Sequence, residues 1–442
     1  MTNSNLGRNA LCAFVVAVLL TACDALRQAQ DDTPPVGVPS ATTQVRGSGV
    51  RATALRSSSS SYYEVLFRFG QHANPRHDIG GALPEGLLAV GGELYGTTAQ
   101  GGYRSSGTVY SASTLGAHTV LHRFGVGSNA ASDGVNPVGT LIAVKSLLYG
   151  ATIVGGKCGS GSVYSISTSG TETLLHSFCG SDGIQPLAGL VNVNGTLYGT
   201  TEYGVSSENY GTVYSVATSG TFKIVHNFTG SPKDGAEPAA PLLDVNGTLY
   251  GTTGYGGSNE LGTVFTIDAA GKEKVLYSFQ GGADGAQPFS DLIDVNGTLY
   301  GTTLRGGGHH VGCAPSYAGC GTVYSITPSG SESVLYSFGC NSCSNAPNGA
   351  SPSAGLVELN GVLYGTTTAG GSDSLGVVFS LTPSGSEKVL HNFAGGSDGA
   401  DPSGGLIDLN GTFYGTTAQG GSTTGCKRFG GSGCGTIFTL TP

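Results

Sequence analysis

From residue 62 to the C-terminus the chain is written in short alternating or wholly apolar runs, each cut by glycine-rich turns. One stretch shows the unit. Leu242-Leu243-Asp244-Val245 leads through Asn246-Gly247 into Thr248-Leu249-Tyr250-Gly251-Thr252-Thr253. A glycine-rich loop follows, then Gly262-Thr263-Val264-Phe265-Thr266-Ile267, a turn at Ala270-Gly271, and Lys274-Val275-Leu276-Tyr277-Ser278-Phe279. Runs of this length and spacing, rich in β-branched and aromatic residues, predict four strands, A to D, in an antiparallel meander. Asn-Gly places two residues at positive φ and is the strongest short hairpin signal. It recurs at Asn194-Gly195, Asn296-Gly297, Asn360-Gly361 and Asn410-Gly411, with Gly91-Gly92 and Lys145-Ser146 in the first two units. Outside the N-terminus no stretch sustains a 3.6-residue apolar period, so the expected class is all-β.

The unit recurs seven times around a version of L-Y-G-T-T, centred on Tyr95, Tyr149, Tyr198, Tyr250, Tyr300, Tyr364 and Tyr414. A period of about 50 residues means a propeller, solenoid or array. The ends choose between them. The chain opens with a D-type run, Glu64 to Phe69, and stops after a C-type run, Gly435 to Leu440. The outer strand missing from the last unit is therefore the first strand of the chain. The expectation is a seven-bladed β-propeller over residues 62–442, with four-stranded antiparallel blades, closed by pairing the N-terminal strand with the last blade. Tight A–B and C–D turns then share one face, and B–C loops and D–A crossovers share the other. Length variation collects on the second face, where a ligand is expected.

Residues 1–22 read as an export signal: Arg8 precedes an apolar run, Ala10 to Leu20, too short to span a bilayer. Leu20-Thr21-Ala22-Cys23 resembles a bacterial lipobox, which implies cleavage before Cys23 and lipidation of it. Residues 23–61, rich in Pro, Ser and Thr, read as a flexible tether. The expected location is the bacterial envelope, lipid-anchored and extracytoplasmic. Only 11% of residues are charged and the net charge is −9, with no Lys/Arg run. Such a surface does not neutralise phosphates, which excludes nucleic acid as a partner.

The full repeat, L-x-x-x-N-G-x-L-Y-G-T-T…G-T-V-Y-S-I…S-G-x-E-x-V-L-x-S-F…D-G-x-x-P, resembles the GloVer tandem repeat of bacterial "choice-of-anchor" proteins. The resemblance covers nearly all of 62–442. It implies an exported repeat protein and brings no agreed activity, so no catalytic residue is carried over. The layout also resembles kelch blades, but kelch expects a tryptophan in the fourth strand and this chain has none.

Of ten cysteines, Cys12 and Cys23 belong to the export signal. The other eight, Cys158, Cys179, Cys313, Cys320, Cys340, Cys343, Cys426 and Cys434, fall on the loop face and predict disulfides. Cys426–Cys434 would lie within one loop, and Cys158–Cys179 would join a B–C loop to the end of strand D. The four in blade 5 leave their pairing open. D-G recurs in the crossovers at Asp133, Asp182, Asp234, Asp284 and Asp398, where Asp suits a turn-forming acceptor better than a cation ligand. Acids in strand A (Asp244, Asp294, Glu358, Asp408) are expected to line a channel. His122, His176, His226 and His391 occupy a slot held elsewhere by Tyr277 and Tyr336, so they read as packing positions. Repeat-breaking residues after T-T single out Glu202, Tyr203, Tyr255 and Arg305 across blades 3–5, beside His309 and His310 in the longest B–C loop. Aromatic faces with hydrogen-bonding neighbours suit a glycan or a peptide. No catalytic residue, cofactor or metal is expected. The leading reading is a non-enzymatic binding or scaffold propeller. The alternatives are a glycan-active envelope enzyme using Glu202 or a channel carboxylate as acid/base, and a structural or adhesion protein.

Overall fold

The computed structural model describes residues 61–70, 80–125, 133–204, 210–308, 319–339, 346–422, 426 and 433–442. The export signal, Cys23 and nearly all of the tether lie outside the described residues, as do His309, His310, Cys313, Cys340 and Cys343. Ser59–Pro442 forms one compact unit.

All seven units fold as predicted, each a four-stranded antiparallel sheet in the order A-B-C-D. In blade 4 these strands are Leu243–Val245, Thr248–Thr253, Thr263–Ile267 and Glu273–Ser278. The seventh sheet takes its A, B and C strands from Ile407–Leu409, Thr412–Thr417 and Thr436–Thr441, and its D strand from Tyr62–Arg68. Tyr62 pairs with Thr441 and Arg68 with Thr436, so the two ends of the propeller close the ring. The A strands of neighbouring blades approach one another around the axis. At every Asn-Gly turn both residues have positive φ, for example Asn246 at 52° and Gly247 at 85°. The strand-A acids have a local partner. Asp244, Asp294 and Asp408 each accept the N–H of the turn glycine three residues on, at 2.8–2.9 Å, and Glu358 bonds Gly361 likewise. They cap their own hairpins, because a short side chain beside a type I′ turn finds the turn N–H nearer than any neighbour.

Four of the five letters of the L-Y-G-T-T motif have a plain physical reason. The leucine is buried, as at Leu197 and Leu299. The glycine lies under the strand-C aromatic: a Cβ on Gly199 would sit 2.5 Å from the Tyr214 hydroxyl, and one on Gly251 2.5 Å from the Phe265 ring. The first threonine staples neighbouring blades, since Thr252 Oγ1 donates to the Ser290 carbonyl at 3.1 Å and Thr416 Oγ1 to the Glu85 carbonyl at 2.9 Å. The second staples strand B to strand C, as in the 2.7 Å bond between the Thr201 and Thr212 hydroxyls.

Apolar burial is distributed, with one cluster at each blade-to-blade seam. The phenylalanine that follows strand D in each blade meets the strand-C aromatic of the next edge-on. Phe178–Tyr214, Phe228–Phe265 and Phe279–Tyr324 have ring centroids 5.0–5.1 Å apart. At the closing seam Phe69 does the same to Tyr110 at 5.3 Å. Edge-to-face contact aims ring hydrogens at a π face and adds to the burial.

Candidate functional site

The loop face around the axis holds the chemistry. In blade k the residue after T-T pairs through its backbone with the residue before the proline of D-G-x-x-P. The Glu202 N–H donates to the Gln185 carbonyl at 2.9 Å, the Gly254 N–H to that of Glu237 at 3.1 Å, and the Leu304 N–H to that of Gln287 at 2.9 Å. The residue before the proline sits at φ of 56–57° in all seven blades. That conformation is uncommon for a side-chain-bearing residue and marks a fixed loop geometry.

These loops gather five carboxyl groups. Glu202, 4% exposed, has its pKa pushed up to about 8, first by burial and then by Glu237 beside it, with Tyr203 opposing. Glu85 is pushed to about 7 by burial and then by Asp401, against a bond from the Gly139 backbone. Asp401 is likewise pushed to about 7 by burial, and Gln419 Nε2 approaches it at 3.4 Å. Burial also raises Asp291. Glu85 and Asp401 are half-buried. Desolvation disfavours the charged form, and a second carboxylate disfavours it further.

Of the residues expected at this site, Tyr203, Tyr255 and Arg305 occupy equivalent positions in blades 3–5, and Glu202 stands one residue earlier, where blades 4 and 5 have Gly254 and Leu304. Tyr203 and Arg305 form single β-bridges to Ile184 and Ala286 of the crossovers. The Tyr255 hydroxyl accepts from Gln287 Nε2 at 2.9 Å, and its ring meets Phe289 edge-on at 6.1 Å. Glu237, Glu85, Asp291 and Asp401 escaped sequence reasoning. Two of them had a signal: the slot before the proline reads Leu83, Asn136, Gln185, Glu237, Gln287, Ser351 and Asp401, the most variable position of an otherwise regular motif.

At the outer rim the strand-D histidines do more than pack. Each lies edge-on to the next phenylalanine, and its Nε2 meets the crossover aspartate: His176–Asp182 at 2.8 Å, His226–Asp234 at 3.1 Å, His391–Asp398 at 3.2 Å and His122–Asp133 at 3.4 Å. In blade 4 the Tyr277 hydroxyl donates to Asp284 at 2.7 Å, and in blade 5 Asn348 meets Tyr336. The aspartate also accepts backbone N–H groups, Thr229 and Gly235 at Asp234 being one case. A residue near the start of the next D strand completes each seam. It is aromatic where Phe222 stacks on His176 at 3.8 Å or Tyr63 on His391 at 3.6 Å. It is a glutamate at Glu172, Glu273, Glu332 and Glu387, all with pKa values raised chiefly by burial.

Two disulfides match the expected pairs, Cys158–Cys179 with Cα atoms 5.0 Å apart and Cys426–Cys434 at 5.5 Å. Cys320 is buried and also disulfide-bonded.

A profile of the Gloeobacter/Verrucomicrobia repeat matches residues 41–209, 82–315 and 314–442. The chain belongs to this repeat family. No curated protein matches this Gloeobacter/Verrucomicrobia repeat protein by sequence. Among solved structures it is similar to the computationally designed protein Ika8, at 12% identity over 86% of this chain and 99% of that one, with a TM-score of 0.47. It is similar to XC5397, a gluconolactonase from Xanthomonas campestris, at 11% identity over 86% and 89%, with a TM-score of 0.41. A luciferin-regenerating enzyme gives 10% identity over 87% and 96%, with a TM-score of 0.41. Likenesses of this size carry no activity to the repeat protein.

Proposed function

We propose that this protein is an extracytoplasmic propeller, tethered to the bacterial envelope through a lipid on Cys23, that binds a polyhydroxylated or peptide ligand at its loop-face mouth. The observation that carries the reading is the set Tyr255, Gln287 and Phe289 beside Glu202 and Glu237. It joins aromatic faces, an oriented amide and a carboxyl held partly neutral, so donors and acceptors stand together on a fixed frame. Ligand sites take this form, a few placed polar groups among aromatic walls. Disulfides on the same face support an oxidising compartment, and the Leu20-Thr21-Ala22-Cys23 sequence supports the tether.

The test is a binding screen of the mature protein against envelope glycans and peptides, read by thermal shift. A ligand that raises Tm in the parent and loses its effect in Tyr255→Ala and Gln287→Ala supports the reading. Retention of the full shift in both variants overturns the placement. Cys23→Ala should move the protein from the membrane fraction to the soluble fraction.

A second reading has one observation in its favour. Glu202 is buried with the half-buried Glu237 beside it, and burial and then that neighbour push the Glu202 pKa up, the arrangement of a general acid beside a base. Turnover of a polysaccharide that Glu202→Gln and Glu237→Gln each abolish would make the protein an enzyme. Self-association without any ligand would point instead to a coat or adhesion role.

A further inference from the structure

We propose that the seam between blades 3 and 4 is a divalent-metal site of the zinc class, with His226, Asp234 and Glu273 as its ligands. Among the described residues this is the place where three such donors converge, one ligand atom from each lying within 4.8 Å of the others. His226 Nε2 and Asp234 Oδ2 are already 3.1 Å apart. Two ligands on one ion, each at about 2.0–2.2 Å, are separated by about 3–4 Å, so only Glu273 needs to close further. The donor chemistry fits. One imidazole nitrogen and two carboxylate oxygens suit Zn²⁺, and also Co²⁺ and Ni²⁺, while leaving a coordination position open to solvent.

The surroundings are those of a supported site. Asp234 is 5% exposed and is oriented by the N–H groups of Thr229 and Gly235 and by the Thr229 hydroxyl. Outer hydrogen bonds of this kind fix ligating carboxylates. Glu273 Oε1 is enclosed and accepts no hydrogen bond. The other seams show what the fold alone requires. Tyr277 replaces the histidine in blade 4, and Phe222 replaces the glutamate in blade 3, yet both seams close with the same geometry. The seam between blades 1 and 2 holds the same residue types, His122, Asp133 and Glu172, with the histidine and aspartate 3.4 Å apart; among the described residues the convergence of all three donors belongs to His226, Asp234 and Glu273.

The repeat supplies its own controls. His226→Tyr and Glu273→Phe install residues that neighbouring seams already use, and unchanged circular dichroism would verify the fold. Untagged, metal-stripped full-length protein is titrated with Co²⁺, following visible absorption and bound metal by equilibrium dialysis, then with Zn²⁺ as competitor. The expected result is one Co²⁺ equivalent, displaced by Zn²⁺, that is lost or weakened at least about tenfold in His226→Tyr and in Glu273→Phe but kept in His122→Tyr. Should an aromatic variant fail to fold, Glu273→Gln removes the same ligand charge without a change of shape and is expected to weaken Co²⁺ binding in the same way. Equal metal content in parent and seam variants, or no Co²⁺ bound by the parent, overturns the proposal.

Discussion

Single residues in this chain answer to a partner one strand or one blade away. Gly199 is glycine because the Tyr214 ring occupies the space of its side chain. Gly199→Ala is expected to cost about 1–3 kcal/mol by overpacking, read as a lower urea midpoint. The hydroxyls of Tyr110, Tyr164, Tyr214 and Tyr324 are buried and accept or donate no hydrogen bond, while blades 4, 6 and 7 use Phe265, Phe379 and Phe438 in that slot. Tyr214→Phe should accordingly be neutral or stabilising by about 1 kcal/mol, and a clear loss of Tm would show that the hydroxyl has a partner. Glu202 predicts a pH dependence. Its folded pKa, about 8, lies above the usual 4.5, so the folded state holds the proton more tightly than the unfolded chain. The stability tied to that proton is complete below pH 4.5 and drains away as pH rises through 8. Glu202→Gln should therefore gain on the parent across that window, by about 2–4 kcal/mol, measured as the difference in unfolding free energy between about pH 5 and about pH 8.5.

At the scale of elements, the blade is a generic meander and specificity lies in its connections. B–C loops and D–A crossovers carry the variable residues, the disulfides and the positive-φ residues before proline. The Cys158–Cys179 bond closes 21 residues and ties a B–C loop to the end of strand D. Replacing both cysteines by serine is expected to remove about 3 kcal/mol, seen as a shift in guanidinium midpoint that reductant reproduces in the parent. A parent indifferent to reductant would show that the loop is held by its neighbours instead.

For the whole molecule the decisive fact is closure. Tyr62–Arg68 supplies the last sheet with its outer strand, and Phe69 supplies the closing seam with its aromatic wedge. Deleting residues 62–70 would leave Thr436–Thr441 as an open edge and Tyr110 without its partner, and open edges recruit other chains. The expected outcome is loss of the monomer peak in size-exclusion chromatography, with strand-exchanged oligomers or aggregate in its place. A monomer of unchanged Tm would mean that the ring does not depend on this strap.

Strands, turns, blade number and closure were all legible in the chain alone, because they follow from local periodicity and from turn residues that act within a few positions of themselves. Two cysteine pairings were legible as well, since the repeat assigned each cysteine to a loop. Which side chains from different blades meet was settled only in three dimensions. Glu202 was visible as a break in the repeat, but its partner Glu237 was not, since the two are joined by the fold and not by spacing. The strand-A acids had the same legible pattern and a different fate, spent on their own hairpins. The rim histidines read as interchangeable with tyrosine, which they are, yet both serve as hydrogen-bonding partners of the crossover. A repeat records what every blade needs. What one seam does differently depends on two neighbours at once, and that pairing exists only after the ring has closed.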